Sequence, residues 1–155
     1  IRTVGSDGHI FNISERGSER YGTSRWSFDS PSFNFDSAAG VDYTVDVTRP
    51  MGRRIKMGNL VDGRKFALDA TYKVAMTSYR AAGGGNLLSD GAGLGREELA
   101  SRLMARYPEI RDMIYKFVVA HEEVSPALTC GVGHWFFVPE SVAAPAIKKD
   151  MALLF

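Results

Sequence analysis

The chain has 155 residues, 45% of them apolar, with 19 Lys and Arg set against 18 Asp and Glu. That length and apolar share support one sizeable core and argue against two independent domains. The near-balance of charge leaves no basic field for a nucleic-acid polymer and no acidic solvating tail, so the expected ligand is small or modestly charged.

The opening Ile1-Arg2-Thr3-Val4-Gly5 is neither a signal peptide nor a membrane span. Lacking an initiator Met, it is expected to follow an upstream segment. Ser6 to Ser32 is rich in Gly, Ser, Arg and Asp and keeps neither helical nor strand period, which predicts a loop with at most one short element. Phe33-Asn34-Phe35-Asp36 alternates apolar and polar residues, and Val41-Asp42-Tyr43-Thr44-Val45-Asp46-Val47 alternates again, the period of half-buried strands. Arg54-Ile55-Lys56-Met57 predicts another strand, Asp62-Gly63 a tight turn, and Lys65 to Leu68 and Tyr72 to Met76 further strand candidates.

Tyr79-Arg80-Ala81-Ala82-Gly83-Gly84-Gly85-Asn86 follows directly, and its successive glycines permit positive φ and close backbone approach. Beyond Gly95 the spacing becomes helical, with Leu99, Leu103 and Met104 on one face and Glu97, Glu98, Arg102 and Arg106 on the other. Pro108 marks a boundary. A second helix over 109–121 places Ile110, Ile114, Phe117 and Val118 on one stripe suited to covering a sheet. His134 to Val138 predicts a last strand ended by Pro139, and 143–155 a short helix after Pro145. The pattern is that of a mixed α/β fold with a strand-rich centre. Cys130 is the one cysteine, expected to be a small buried hydrophobe. His9, His121 and His134 stand apart in sequence and show no metal-ligand spacing.

Phe33-Asn34-Phe35-Asp36, then Gly40 to Asp46, then Tyr72-Lys73-Val74-Ala75 leading to Ser78-Tyr79-Arg80-Ala81-Ala82-Gly83-Gly84-Gly85 occur in an order and spacing that resemble the C-terminal, substrate-recognising domain of the 5′-nucleotidase and 2′,3′-cyclic-nucleotide phosphodiesterase family. Val124-Ser125-Pro126-Ala127 and Trp135-Phe136-Phe137-Val138-Pro139 are similar to its closing turn and strand. The resemblance implies a layered α/β/β/α arrangement. It divides the chain into a loop-rich segment at 1–32, the substrate-binding domain at 33–140 and an extension or short helix at 141–155.

Members of this family carry an N-terminal calcineurin-like metallophosphoesterase domain, in which two divalent metals activate water for attack on phosphorus. Its Asp-x-His and Gly-Asn-His-Asp/Glu motifs do not occur here, so the resemblance implies no catalytic residue and no metal in this chain. The expected partners are that N-terminal domain and a nucleotide or nucleoside. The family stacks the base between aromatic rings, a role that maps onto Phe35 or Phe33 and onto Tyr79. Gly83 and Gly84 would let the backbone approach the ligand or carry Tyr79 outward, and Asn86 and Asp90 could meet ribose hydroxyls. Some members take a ring from just after the glycines, where this chain has Leu87. Arg53, Arg54 and Arg80 read first as surface or hinge charges. Two other readings stay open, a stand-alone nucleoside-binding module and an interaction domain whose aromatics are all core. The family implies a periplasmic, cell-surface or secreted location without a membrane span.

Overall fold

The alternation from Val41 to Val47 does what its period predicts. In the computed structural model, which describes residues 1–18, 22–129 and 133–155, Val41, Val45 and Val47 are buried while Asp42 faces solvent. Val41–Asp46 forms a strand, β3, at the centre of a three-stranded sheet. It pairs antiparallel with β4 (Ile55–Leu60) and parallel with β5 (Trp135–Val138), the strand predicted at the far end of the sequence. The register between β3 and β4 shifts after Val41, opposite Gly58, where a Cβ would lie 3.1 Å from the Asp42 carbonyl oxygen. A side chain there would press on the Asp42 backbone, so this bulge favours glycine. Asp62-Gly63 makes the expected turn, with Gly63 at φ 84° and its N–H donating to the Leu60 carbonyl over 2.9 Å.

A helix at the C-terminal end, Glu140–Leu154, supplies the other wall of the core. It starts ahead of Pro145 and runs through it, where a short helix after that proline was predicted; the proline forgoes one backbone donor without ending the helix. Ile10, Val47, Ala143 and Ala146 are buried together, with Val4, Phe11, Phe137, Val142 and Ile147 packed around them. The N-terminal segment is tied in by its backbone, Arg2 N–H to Ile10 O over 2.8 Å and Val4 N–H to Val47 O over 2.9 Å. Arg54 reinforces it, donating to the Ile1 carbonyl and the Thr3 hydroxyl. This side chain is thus a half-buried tie rather than a surface charge.

Two sequence expectations fail on this side of the molecule. Within the stretch predicted as a loop, β1 (Ile13–Ser18) and β2 (Thr23–Phe28) form an antiparallel hairpin with Ile13 opposite Phe28 and Glu15 opposite Trp26. Its few apolar residues are too scattered to show a period, and cross-strand pairing supplies what alternation does not. Phe33 to Asp36 is not a strand. Ser32–Asn34 is a 3-10 turn entered from Pro31, and the Phe35 N–H closes back onto the Ser32 carbonyl at 3.0 Å. Proline fixes the turn's entry, and four alternating residues are too few to override it.

The chain divides into two compact units, residues Ile1–Ala70 with Gly131–Phe155, and residues Thr71–Cys130. The second contains α1 (Ser78–Ala81), α2 (Arg96–Ser101), α3 (Ile110–Ala120) and α4 (Pro126–Thr129), so the C-terminal helix is α5. No strand forms at 72–76; that segment leads into the Thr77 cap of α1. The helix predicted after Gly95 ends at Ser101, leaving Leu103, Met104 and Arg106 outside it. The α3 helix stands where predicted, but its Ile110, Ile114, Phe117 and Val118 are all exposed. The expected burial of Cys130 lies outside the described residues. Strands and helices together make the fold mixed α/β.

Candidate functional site

The sequence-predicted residues fall into two groups, one in each unit. In the second unit Thr77 caps α1 by accepting the Arg80 N–H at 3.4 Å, which starts a single helical turn carrying Tyr79 and Arg80. The turn ends in the glycines. Gly83 at φ 90° and Gly85 at φ 70° adopt the left-handed backbone that the triple glycine permits, and Asn86 follows at φ 57°. Gly84 has a different role. A Cβ built there would lie 2.5 Å from Cδ2 and Cε2 of Tyr79, so the tyrosine ring rests on the bare backbone of Gly84. The ring stays 51% exposed, placed on a helix turn and not at the end of a strand.

Arg80 departs furthest from its reading as a surface or hinge charge. It is only 6% exposed, its Nη1 donates to the Gly84 carbonyl over 2.9 Å, and its guanidinium carbon lies 5.3 Å from the centre of the Tyr79 ring. A single arginine in a run of small residues carries no sequence signal of burial. Asn86 and Asp90 are exposed, the latter accepting from Ser89 Oγ at 3.2 Å, and Leu87 is half-exposed in the position where some family members place a ring.

In the first unit Phe33 lies within the 3-10 turn and Phe35 caps its end in an extended conformation. Phe33 is 72% exposed. Phe35 turns toward Trp135, with ring centres 6.1 Å apart, and Trp135 in turn stacks on Tyr43 at 5.7 Å and 4°. Phe35 and Trp135 line a cavity of about 500 Å³ together with Phe11, Phe28 and Phe137, and Asn12, Ser30, Ser32 and Asn34 are the polar residues of its wall. The volume suits a small planar molecule. Sequence reading found Phe35 but passed over Phe11 and Phe28, whose convergence depends on the hairpin.

The histidines are dispersed. His121 closes α3 by donating Nδ1–H to the Phe117 carbonyl at 2.7 Å, while His134 Nε2–H donates to Ala38 O at 2.7 Å and its ring meets Tyr43 edge-on. His9 stacks on Trp26 and hydrogen-bonds the fully buried Asp150, whose other oxygen accepts the Ile10 and Phe11 N–H groups. Among the described residues no group of three or more His, Cys, Asp and Glu could hold a metal ion. This donor set does not fit a two-metal hydrolytic centre.

The fold is of mixed α/β class, with one aromatic ring left open beside the glycine turn of the second unit and another at the cavity of the first. Residues 15–90 match the family described as 5′-nucleotidase, C-terminal domain. The match begins at Glu15, inside the hairpin, and runs through both Phe35 and the glycine turn. No curated protein and no solved structure matches the chain. Among the described residues no helix is long and apolar enough to cross a membrane.

Proposed function

We propose that the chain recognises a nucleotide or nucleoside through its base, as the substrate-binding part of a metal-dependent phosphoester hydrolase. The observation that carries this reading is the family match over 15–90, which spans both Phe35 and Tyr79, each leaving half its surface open. An exposed ring is costly to a soluble surface and useful to a ligand with a flat π-face. We read Phe35 in the first unit and Tyr79 in the second each as a ring able to stack on a base, with Gly83 and Gly84 setting the backbone beside Tyr79 and with Asn86 and Asp90 as partners for ribose hydroxyls. The chemistry, hydrolysis of 5′-nucleotides or 2′,3′-cyclic nucleotides, belongs to two divalent metals in an N-terminal metallophosphoesterase domain, in the periplasm, at the cell surface or outside the cell.

Trp135 reports on the Phe35 side of this proposal. In a Trp26→Phe background, adenosine is expected to change the remaining tryptophan emission saturably, and Phe35→Ala to weaken that binding about 5- to 150-fold, the worth of one stacked base. A folded Phe35→Ala variant that binds as tightly as its parent would remove Phe35 from the site.

A further inference from the structure

Burying a guanidinium is expensive unless hydrogen bonds replace the lost water. Arg80 is buried within a unit whose large apolar side chains are mostly exposed. Hydrophobic burial therefore does not explain its position. The contacts it makes do: Nη1 holds the Gly84 carbonyl, and the guanidinium sits 5.3 Å from the Tyr79 ring centre, within the range of cation–π attraction. Gly84 is also the residue against whose bare Cα the Tyr79 ring lies. One side chain thus fixes both the support under the ring and the ring itself.

We propose that Arg80 is the positioning residue that holds Tyr79 ready for the base, acting through Gly84 and without touching the ligand. This rests on the reading of Tyr79 as a stacking ring. Free tyrosines lose rotamer entropy when they stack, and a ring already locked against Gly84 has that ordering done beforehand. Arginine serves here because its rigid planar fork can hold a carbonyl and lie near a ring at once, which the point charge of lysine cannot. Arg80→Lys is accordingly expected to behave like Arg80→Gln, not like wild type.

The test is a double-mutant cycle on the full chain, with adenosine as the probe in titration calorimetry. Arg80→Gln is expected to weaken binding about tenfold in the wild-type background. It should cost nothing further in a Tyr79→Ala background, because the ring that Arg80 positions is gone. Equal losses in both backgrounds would overturn the proposal and make Arg80 a direct ligand contact or a general structural support. Nuclear Overhauser contacts between the Tyr79 ring and the Gly84 Hα protons give a readout that needs no ligand. They should be present in wild type and lost in Arg80→Gln; their persistence there would also overturn the proposal. Gly84→Ala, which keeps Arg80, should displace the ring and weaken adenosine to a similar extent, and unchanged binding by that variant would sink the proposed support. Absence of adenosine binding by wild type with those proton contacts intact would instead overturn the nucleoside reading, leaving the ring geometry standing.

Discussion

Asp46 closes β3 with its own side chain. Its Oδ1 accepts from the Thr48 hydroxyl at 2.6 Å and the Thr48 N–H at 3.0 Å, and its Oδ2 accepts from Arg49 Nε at 3.1 Å. The Thr48 hydroxyl, then the Thr48 backbone and the Arg49 charge, hold this carboxyl below its ordinary value. A depressed folded value means that the stabilisation is present above the unfolded carboxylate range, around pH 4, and is lost as pH falls through the folded value. Thr48→Val is expected to raise the Asp46 value toward the ordinary one, read from the carboxyl carbon shift in an NMR titration; an unmoved titration would contradict the assignment. At this scale the sequence singled out Phe35, Tyr79 and the turn glycines only through the motifs that carry the family resemblance. It hid Arg80, whose burial comes from a hydrogen bond to a carbonyl four residues on.

Among the elements, β3, β4 and α3 were legible because each carries its own period, and β5 because an apolar run ends at a proline. The β1–β2 hairpin was not, since its pairing and not its pattern makes it, and 33–36 was misread because a proline-led turn can mimic two steps of alternation. The α5 helix held a signal that went unread. Ala143, Ala146, Asp150 and Leu154 recur at intervals of three and four and are all buried, so the spacing alone places Asp150 on the core face. There its carboxylate binds the N–H groups of Ile10 and Phe11 at 2.9 and 2.8 Å and joins helix to N-terminal segment. Asp150→Ala strands these donors, at about 1–3 kcal/mol for each one that is buried. Urea unfolding of the full chain should show a loss of about 2–5 kcal/mol, with Asp150→Asn less damaging because it keeps one acceptor oxygen. A loss under about 1 kcal/mol in Asp150→Ala would mean that the segment is held by its apolar contacts instead.

For the whole molecule, the hydrophobic core of the first unit and the glycine turn of the second place the same kind of group in reach of solvent, an aromatic ring with a fixed support. Phe35 has Trp135 and the stacked Tyr43 behind it; Tyr79 has Gly84 and Arg80. With acids and bases nearly equal in number, no basic field singles out a phosphate, and recognition through the base is the reading we propose. Adenosine and ribose 5-phosphate separate these possibilities, since one carries the π-face and the other only sugar and charge. Titration calorimetry of the full folded chain with each is the direct measurement. Saturable binding of adenosine with none of ribose 5-phosphate is expected, and binding of ribose 5-phosphate alone, or of neither, would contradict base recognition.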